Sequence, residues 1–160
     1  MAEPLLDIHG LPGHLIRRLN QIAVAQFMEK MGEIAVDLTP VQYSALCAVK
    51  SHPGIDQASI AGLIAYDRAT LGKVIDRLEA KGLVSRKVSP QDRRARVVKL
   101  TKSGQELLQQ VHPVVRAAQG DILTGLDNVE QAQFIALMQK TIQIGNESSR
   151  APQRELGETG

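Results

Sequence analysis

Between Asp67 and Lys102 the chain reads DRATLGKVIDRLEAKGLVSRKVSPQDRRARVVKLTK, a helix that runs straight into a short hairpin tipped by QDRRA. Leu71, Val74, Ile75 and Leu78 fall on one stripe at helical spacing, while Lys73 and Arg77 point away from it with Ala69, Thr70 and Gly72 nearby. Lys81-Gly82 stops the helix, because glycine takes the left-handed conformation needed just past a helix end. Val84, Arg86 and Val88 then alternate with Ser85 and Lys87, Ser89-Pro90-Gln91-Asp92 turns the chain, and Arg96 to Leu100 returns as a second strand. The same window holds eleven Lys or Arg against four Asp or Glu, net +7, whereas the whole chain is only +2 and the remainder therefore −5. A field segregated in this way attracts a polyanion at one place. A basic helix beside an arginine-tipped hairpin suits a double helix, with the helix in the major groove and an arginine in the adjacent minor groove.

The flanking sequence supplies the frame. From about Leu11 to Glu33 a helical run carries Leu15, Leu19, Ile22, Ala23, Met31 and Ile34, with Val24 and Met28 on its other side. A helix apolar over most of its circumference is expected to be buried between two subunits. Thr39-Pro40-Val41-Gln42 is a capping box with proline at the first helical position and predicts a helix to about Ser51. Asp56 caps a short helix of about Gln57 to Ala65, and Asp67 caps the next, of about Arg68 to Lys81, giving a helix-turn-helix whose second member carries the exposed cations. Thr101 opens a long helix whose apolar phase continues across Pro113. After Gly125, Asp127 to Glu130 forms another capping box, and Phe134, Leu137, Met138 and Ile142 are expected to form the inner face of a last helix to about Asn146. The tail, ESSRAPQRELGETG, is polar and expected to be disordered.

Composition excludes several classes. Two Tyr, two Phe and no Trp leave few rings for stacking single-stranded bases. A single cysteine forms no internal disulfide, and no run approaches the ~20 apolar residues of a membrane span, so a cytoplasmic location and no membrane partner are expected. His9, His14, His52 and His112 share no metal-ligand spacing with Cys47 or with acids, and there is no glycine-rich phosphate loop or nucleophile motif. Neither an enzyme, a metal site nor a cofactor is expected.

The order helix, helix, helix-turn-helix, winged hairpin, long helix, terminal helix, with LEAKGLVSR joining helix to wing, DRR at the wing tip and LTKSG opening the long helix, resembles the MarR family of winged-helix transcriptional regulators over about Leu11 to Asn146. LPGHLIRRLNQIAVAQF and LTPVQYSALCAV further resemble the branch that represses aromatic-acid and nicotinate catabolism. The resemblance implies a mainly α fold with a small β-hairpin wing, a winged helix-turn-helix flanked by N- and C-terminal dimerisation helices. It divides the chain into an arm and first dimerisation helix (1–35), the DNA-binding domain (36–101), C-terminal dimerisation helices (102–146) and a tail (147–160).

It also implies a homodimer on a pseudo-palindromic double-stranded DNA operator, with recognition helices about one turn apart, ~34 Å. Thr70, Lys73 and Arg77 would face the major groove and Arg94 the minor groove. Asp92 would hold the Arg94 guanidinium or the hairpin in shape, and Arg86 and Arg93 would touch phosphate; Arg68, at the first turn of its helix, would either contact DNA or pair with a neighbouring acid. The implied effector pocket is lined by the first, second and fifth helices and takes an aromatic or pyridine carboxylic acid. His14 and Arg18, with Arg17 beside them, offer charge along an apolar wall, and Tyr43 and Cys47 share a face of the second helix. The alternatives are a ligand-independent or cysteine redox-responsive DNA-binding regulator, and a winged-helix module that binds protein. Cys47 in mid-helix among apolar residues reads as a small buried hydrophobe.

Overall fold

Thr39 starts the second helix as its sequence predicts. Its hydroxyl accepts the Gln42 N–H at 3.3 Å and its own N–H donates to the Gln42 side chain at 3.1 Å, a reciprocal cap that satisfies two groups the helix start leaves open. The computed structural model describes residues 7–157; the first six residues of the arm and the last three of the tail lie outside them. The elements are α1 (Pro12–Glu33), α2 (Pro40–Ser51), β1 (Ile55–Asp56), α3 (Gln57–Leu63), α4 (Arg68–Ala80), β2 (Val84–Val88), β3 (Arg96–Leu100), α5 (Lys102–Ile122) and α6 (Asn128–Gly145), followed by a single 3-10 turn at Asn146–Ser148. The fold is mainly α with a small antiparallel sheet in the order β1-β3-β2. Val84 pairs with Leu100 and Val88 with Arg96 across the wing, and Ile55 pairs with Val98 on its other edge.

One core serves the helix-turn-helix and the wing together. Leu46 and Val49 from α2, Ile60 from α3, Leu71, Ile75 and Leu78 from α4, Val98 from β3 and Val111 from α5 are all buried, closed off by Met31 and Leu38. The stripe on α4 therefore faces inward, which fixes Lys73 and Arg77 outward. The start of α5 is held against the join between α4 and β2. Thr101 donates its hydroxyl to the Gly82 carbonyl at 2.6 Å and its N–H to the Leu83 carbonyl at 3.1 Å, and its hydroxyl oxygen accepts the Gly104 N–H at 3.0 Å. A Cβ at Gly104 would overlap the Leu83 carbonyl oxygen, so glycine is required for this approach.

Three expectations are corrected and one element is added. The third helix ends at Leu63, two residues early, because Ala65 turns left-handed (φ 52°) and the Tyr66 N–H bonds back to the Ala61 carbonyl at 2.9 Å. The two-residue strand β1 was not foreseen. The apolar face of α6 is not an inner face within this chain: none of its residues is buried, and Leu137 and Ile142 are each 62% exposed. The tail is not structureless over 147–157, since it folds back and the Arg154 N–H donates to the Gly62 carbonyl at 2.9 Å. Pro113 lies inside α5 without ending it.

Candidate nucleic-acid interface and adjoining cleft

Asp67 begins the outward-facing surface by capping α4. Its carboxylate accepts both the Thr70 N–H (3.0 Å) and the Thr70 hydroxyl (2.9 Å), and these two bonds hold its pKa below the usual carboxylate value. Thr70 keeps its oxygen lone pairs for an outside donor. Arg68, Lys73 and Arg77 are exposed, and among the described residues none has a hydrogen-bond or ion-pair partner.

The wing tip is tied by its own backbone. Ser89, buried, accepts the Gln91 and Asp92 N–H groups on its hydroxyl at 3.2 and 3.4 Å, and its own N–H donates to the Ala95 carbonyl at 3.0 Å. The Asp92 carboxylate accepts the Arg94 N–H at 2.9 Å, so of the two roles expected for Asp92 the structure shows the one that shapes the hairpin. With the turn secured in this way, the Arg93 and Arg94 guanidinium groups project without partners among the described residues.

Arg86 is a correction. Its guanidinium meets Asp76 at 2.7 Å and Glu79 at 2.9 Å, with Gln57 at 3.4 Å, and only 23% of its side chain is exposed. Burial opposes its charge, but the two carboxylates outweigh that and raise its pKa. It ties β2 to α4 instead of reaching for phosphate. The consequence is electrostatic as well as mechanical, because the acids of α4 are neutralised from the wing side while its cations stay free. Lys81 similarly pairs with Asp37 at 2.8 Å and anchors the end of α4 to the α1–α2 connection.

A second concavity, 280 Å³, lies between α1, α2 and α5. Phe27 and Tyr43 form its aromatic wall, with ring centroids 5.9 Å apart, and Lys30, Ser44 and Gln119 bring polar atoms to it. The Tyr43 hydroxyl is 2.7 Å from His112 Nδ1, and burial, then the neighbouring Cys47, push the phenol up to about 12. Of the five residues expected at an effector site, Tyr43 is the one that lines this cleft. Cys47 sits one turn further on, half-buried, with its thiol pKa raised by burial. His14, Arg17 and Arg18 lie on the first turns of α1, and Arg18 precedes Phe27 by ~13 Å of helix rise. Arg17 bonds Gln21 at 3.3 Å, and His14 packs edge-on to His9 with its Nε2 buried and unpartnered. Phe27, Lys30 and His112 were missed. The helical spacing of Phe27 and Lys30 from Ala23 was available in the sequence, but the Tyr43–His112 contact joins α2 to α5 and has no local signal. Among the described residues no group of three or more metal-ligating side chains exists, and no helix is long and apolar enough to cross a membrane.

Comparison with known proteins bears on this geometry. The MarR family model matches residues 38–95, from the buried Leu38 through the wing turn. The chain is 32% identical over 136 residues to the HTH-type transcriptional repressor NicR of Pseudomonas putida, covering 85% of each protein. Its fold is similar to that of BpsR of Bordetella bronchiseptica, whose DNA binding is regulated by 6-hydroxynicotinic acid (TM-score 0.77, 30% identity, 84% of this chain and 94% of that one). It is also similar to a mutant MarR of Escherichia coli complexed with operator DNA (TM-score 0.74, 28% identity, 81% of this chain and 92% of that one).

Proposed function

The chain belongs to the MarR family of transcriptional regulators, and on that premise we propose that it is a homodimeric repressor that binds a pseudo-palindromic operator and is released by a small aromatic or pyridine carboxylate. The observation that carries the DNA half is the sorting of the arginines. Arg86 is consumed by Asp76 and Glu79, while Arg68, Lys73, Arg77, Arg93 and Arg94 stand exposed without partners among the described residues. Lys73 and Arg77 would read or clamp the major groove with Thr70, Arg94 would enter the minor groove, and Arg68 and Arg93 would hold phosphate.

The effector half rests on the cleft between α1, α2 and α5. A flat acid would lie against a wall of Phe27 and Tyr43, with Lys30, which pairs with Glu33 at 3.0 Å, exchanging that partner for the ligand carboxylate. His14, Arg17 and Arg18 do not line that cleft, and under this reading a second copy delivers them. The dimer is supported by unspent apolar surface: Leu15, Ile16 and Ile22 on α1 and Leu137, Ile142 and Ile144 on α6 are between 45% and 77% exposed. Footprinting the DNA upstream of the protein's own gene, with and without benzoate- and nicotinate-type acids, tests the whole reading. A palindromic footprint erased by one acid is expected. A footprint indifferent to every acid would leave a DNA-binding protein without this effector site.

A further inference from the structure

Over its described residues, to Gly157, the C-terminal segment runs back onto the helix-turn-helix. Past the 3-10 turn the chain doubles back, with the Gln153 N–H donating to the Asn146 side-chain oxygen at 2.8 Å and the Asn146 amide donating to the Gln153 carbonyl at 3.1 Å. The Arg154 guanidinium engages both carboxylate oxygens of Glu147, at 2.9 Å on one arm. From there the Arg154 N–H donates to the Gly62 carbonyl in the last turn of α3, and an added Cβ at Gly62 would come within 3.0 Å of the Arg154 Cβ. Leu156 then lines a 1020 Å³ cleft whose other walls include Gln57, Arg68, Asp92 and Arg94.

We propose that residues 149–157 form an intramolecular strap that competes with the DNA backbone for the cleft between α3 and the wing, and so lowers operator affinity. The proposal rests on the DNA-binding reading above. The first helix of a helix-turn-helix crosses the sugar-phosphate backbone, and the strap lies on that helix. Its contents do not suit phosphate. Arg154 is neutralised on Glu147, and Leu156 adds a hydrocarbon to the lining that Arg68 and Arg94 share. Arg150 is the strap's other cation, and its charge acts on Asp67. A strap closed most of the time reduces apparent affinity by the fraction of molecules left open.

The test compares the full chain with one ending at Ser148, titrated onto a fluorescein-labelled duplex taken from immediately upstream of the protein's own gene. Truncation is expected to tighten binding about five-fold. Gly62→Ala, whose Cβ would press on the Arg154 Cβ at 3.0 Å, is expected to act in the same direction with the tail intact. Hydrogen exchange supplies the independent readout: the Arg154 amide should be protected in the free chain and lose protection when the duplex is added. An unprotected amide in the free chain overturns the strap itself. Weaker or unchanged binding by the truncated chain, with the amide protected, overturns the competition and makes the segment a DNA contact or a bystander. If neither form binds any duplex at low salt, the DNA-binding reading fails and this proposal falls with it.

Discussion

Arg86 and Arg94 stand on the same hairpin and have opposite partners, one held by two carboxylates and the other exposed at the tip. Arg94→Ala is therefore expected to weaken operator binding by about 1–3 kcal/mol without lowering the unfolding midpoint. Arg86→Ala is expected to do the reverse, costing about 1 kcal/mol of stability because the ion pairs are only partly shielded from water; chemical denaturation and anisotropy titration of both variants check the contrast. At Asp67 the sign of the pH effect follows from its lowered pKa. A carboxylate depressed in the folded state contributes stability above the ordinary value of 3.8, and that contribution is lost as pH falls through the depressed one. The Thr70 amide should thus gain exchange only in strongly acid solution, and Asp67→Asn, which also caps, should abolish that acid step. Cap, stripe and stop signals were readable residue by residue because each acts over a few positions. The loss of Arg86 to Asp76 and Glu79 was not, because it joins a strand to a helix that the sequence separates.

Three helices end in the same way, and only one announced it. After α1, α3 and α4 the chain turns left-handed at Ala35, Ala65 and Gly82, and the next N–H reaches back to the carbonyls of Met31, Ala61 and Leu78. Gly82 is visible in the sequence as a stop. Alanine carries no such mark, which is why the end of α3 was placed too late. An L-residue in this conformation is strained, so Ala65→Gly is expected to raise stability by about 0.5–1 kcal/mol, read from the urea midpoint. The strand β1 escaped for a related reason: two residues have no period of their own, and Ile55 and Asp56 become a strand only because β3 offers them an edge. Elements with an internal repeat, such as α4 and the wing, needed no such neighbour to be read.

The distribution of apolar side chains decides how much of the molecule one chain can complete. Its core is closed around α2, but among the described residues little covers the apolar side chains of α6 and of the first turns of α1. Helical spacing marked the face on α6 but not what covers it. The pair Leu137→Glu and Ile142→Glu is expected to raise the dimer dissociation constant by on the order of a hundred-fold, because each carboxylate would be desolvated at the interface; light scattering across a dilution series reads it. The tight seat of Gly104 on Leu83 has a mechanical meaning for such a dimer. It seats the start of the 21-residue α5 firmly on the head that carries α4 and the wing, so a helix ~31 Å long acts as an arm on that head, with Pro113 as its one built-in point of bending. A rotation of about 5° at the end lined by Ala118 and Ile122, where the α1–α2–α5 cleft sits, swings the reading head by ~3 Å. Small angles at the fulcrum become large errors of pitch at the groove.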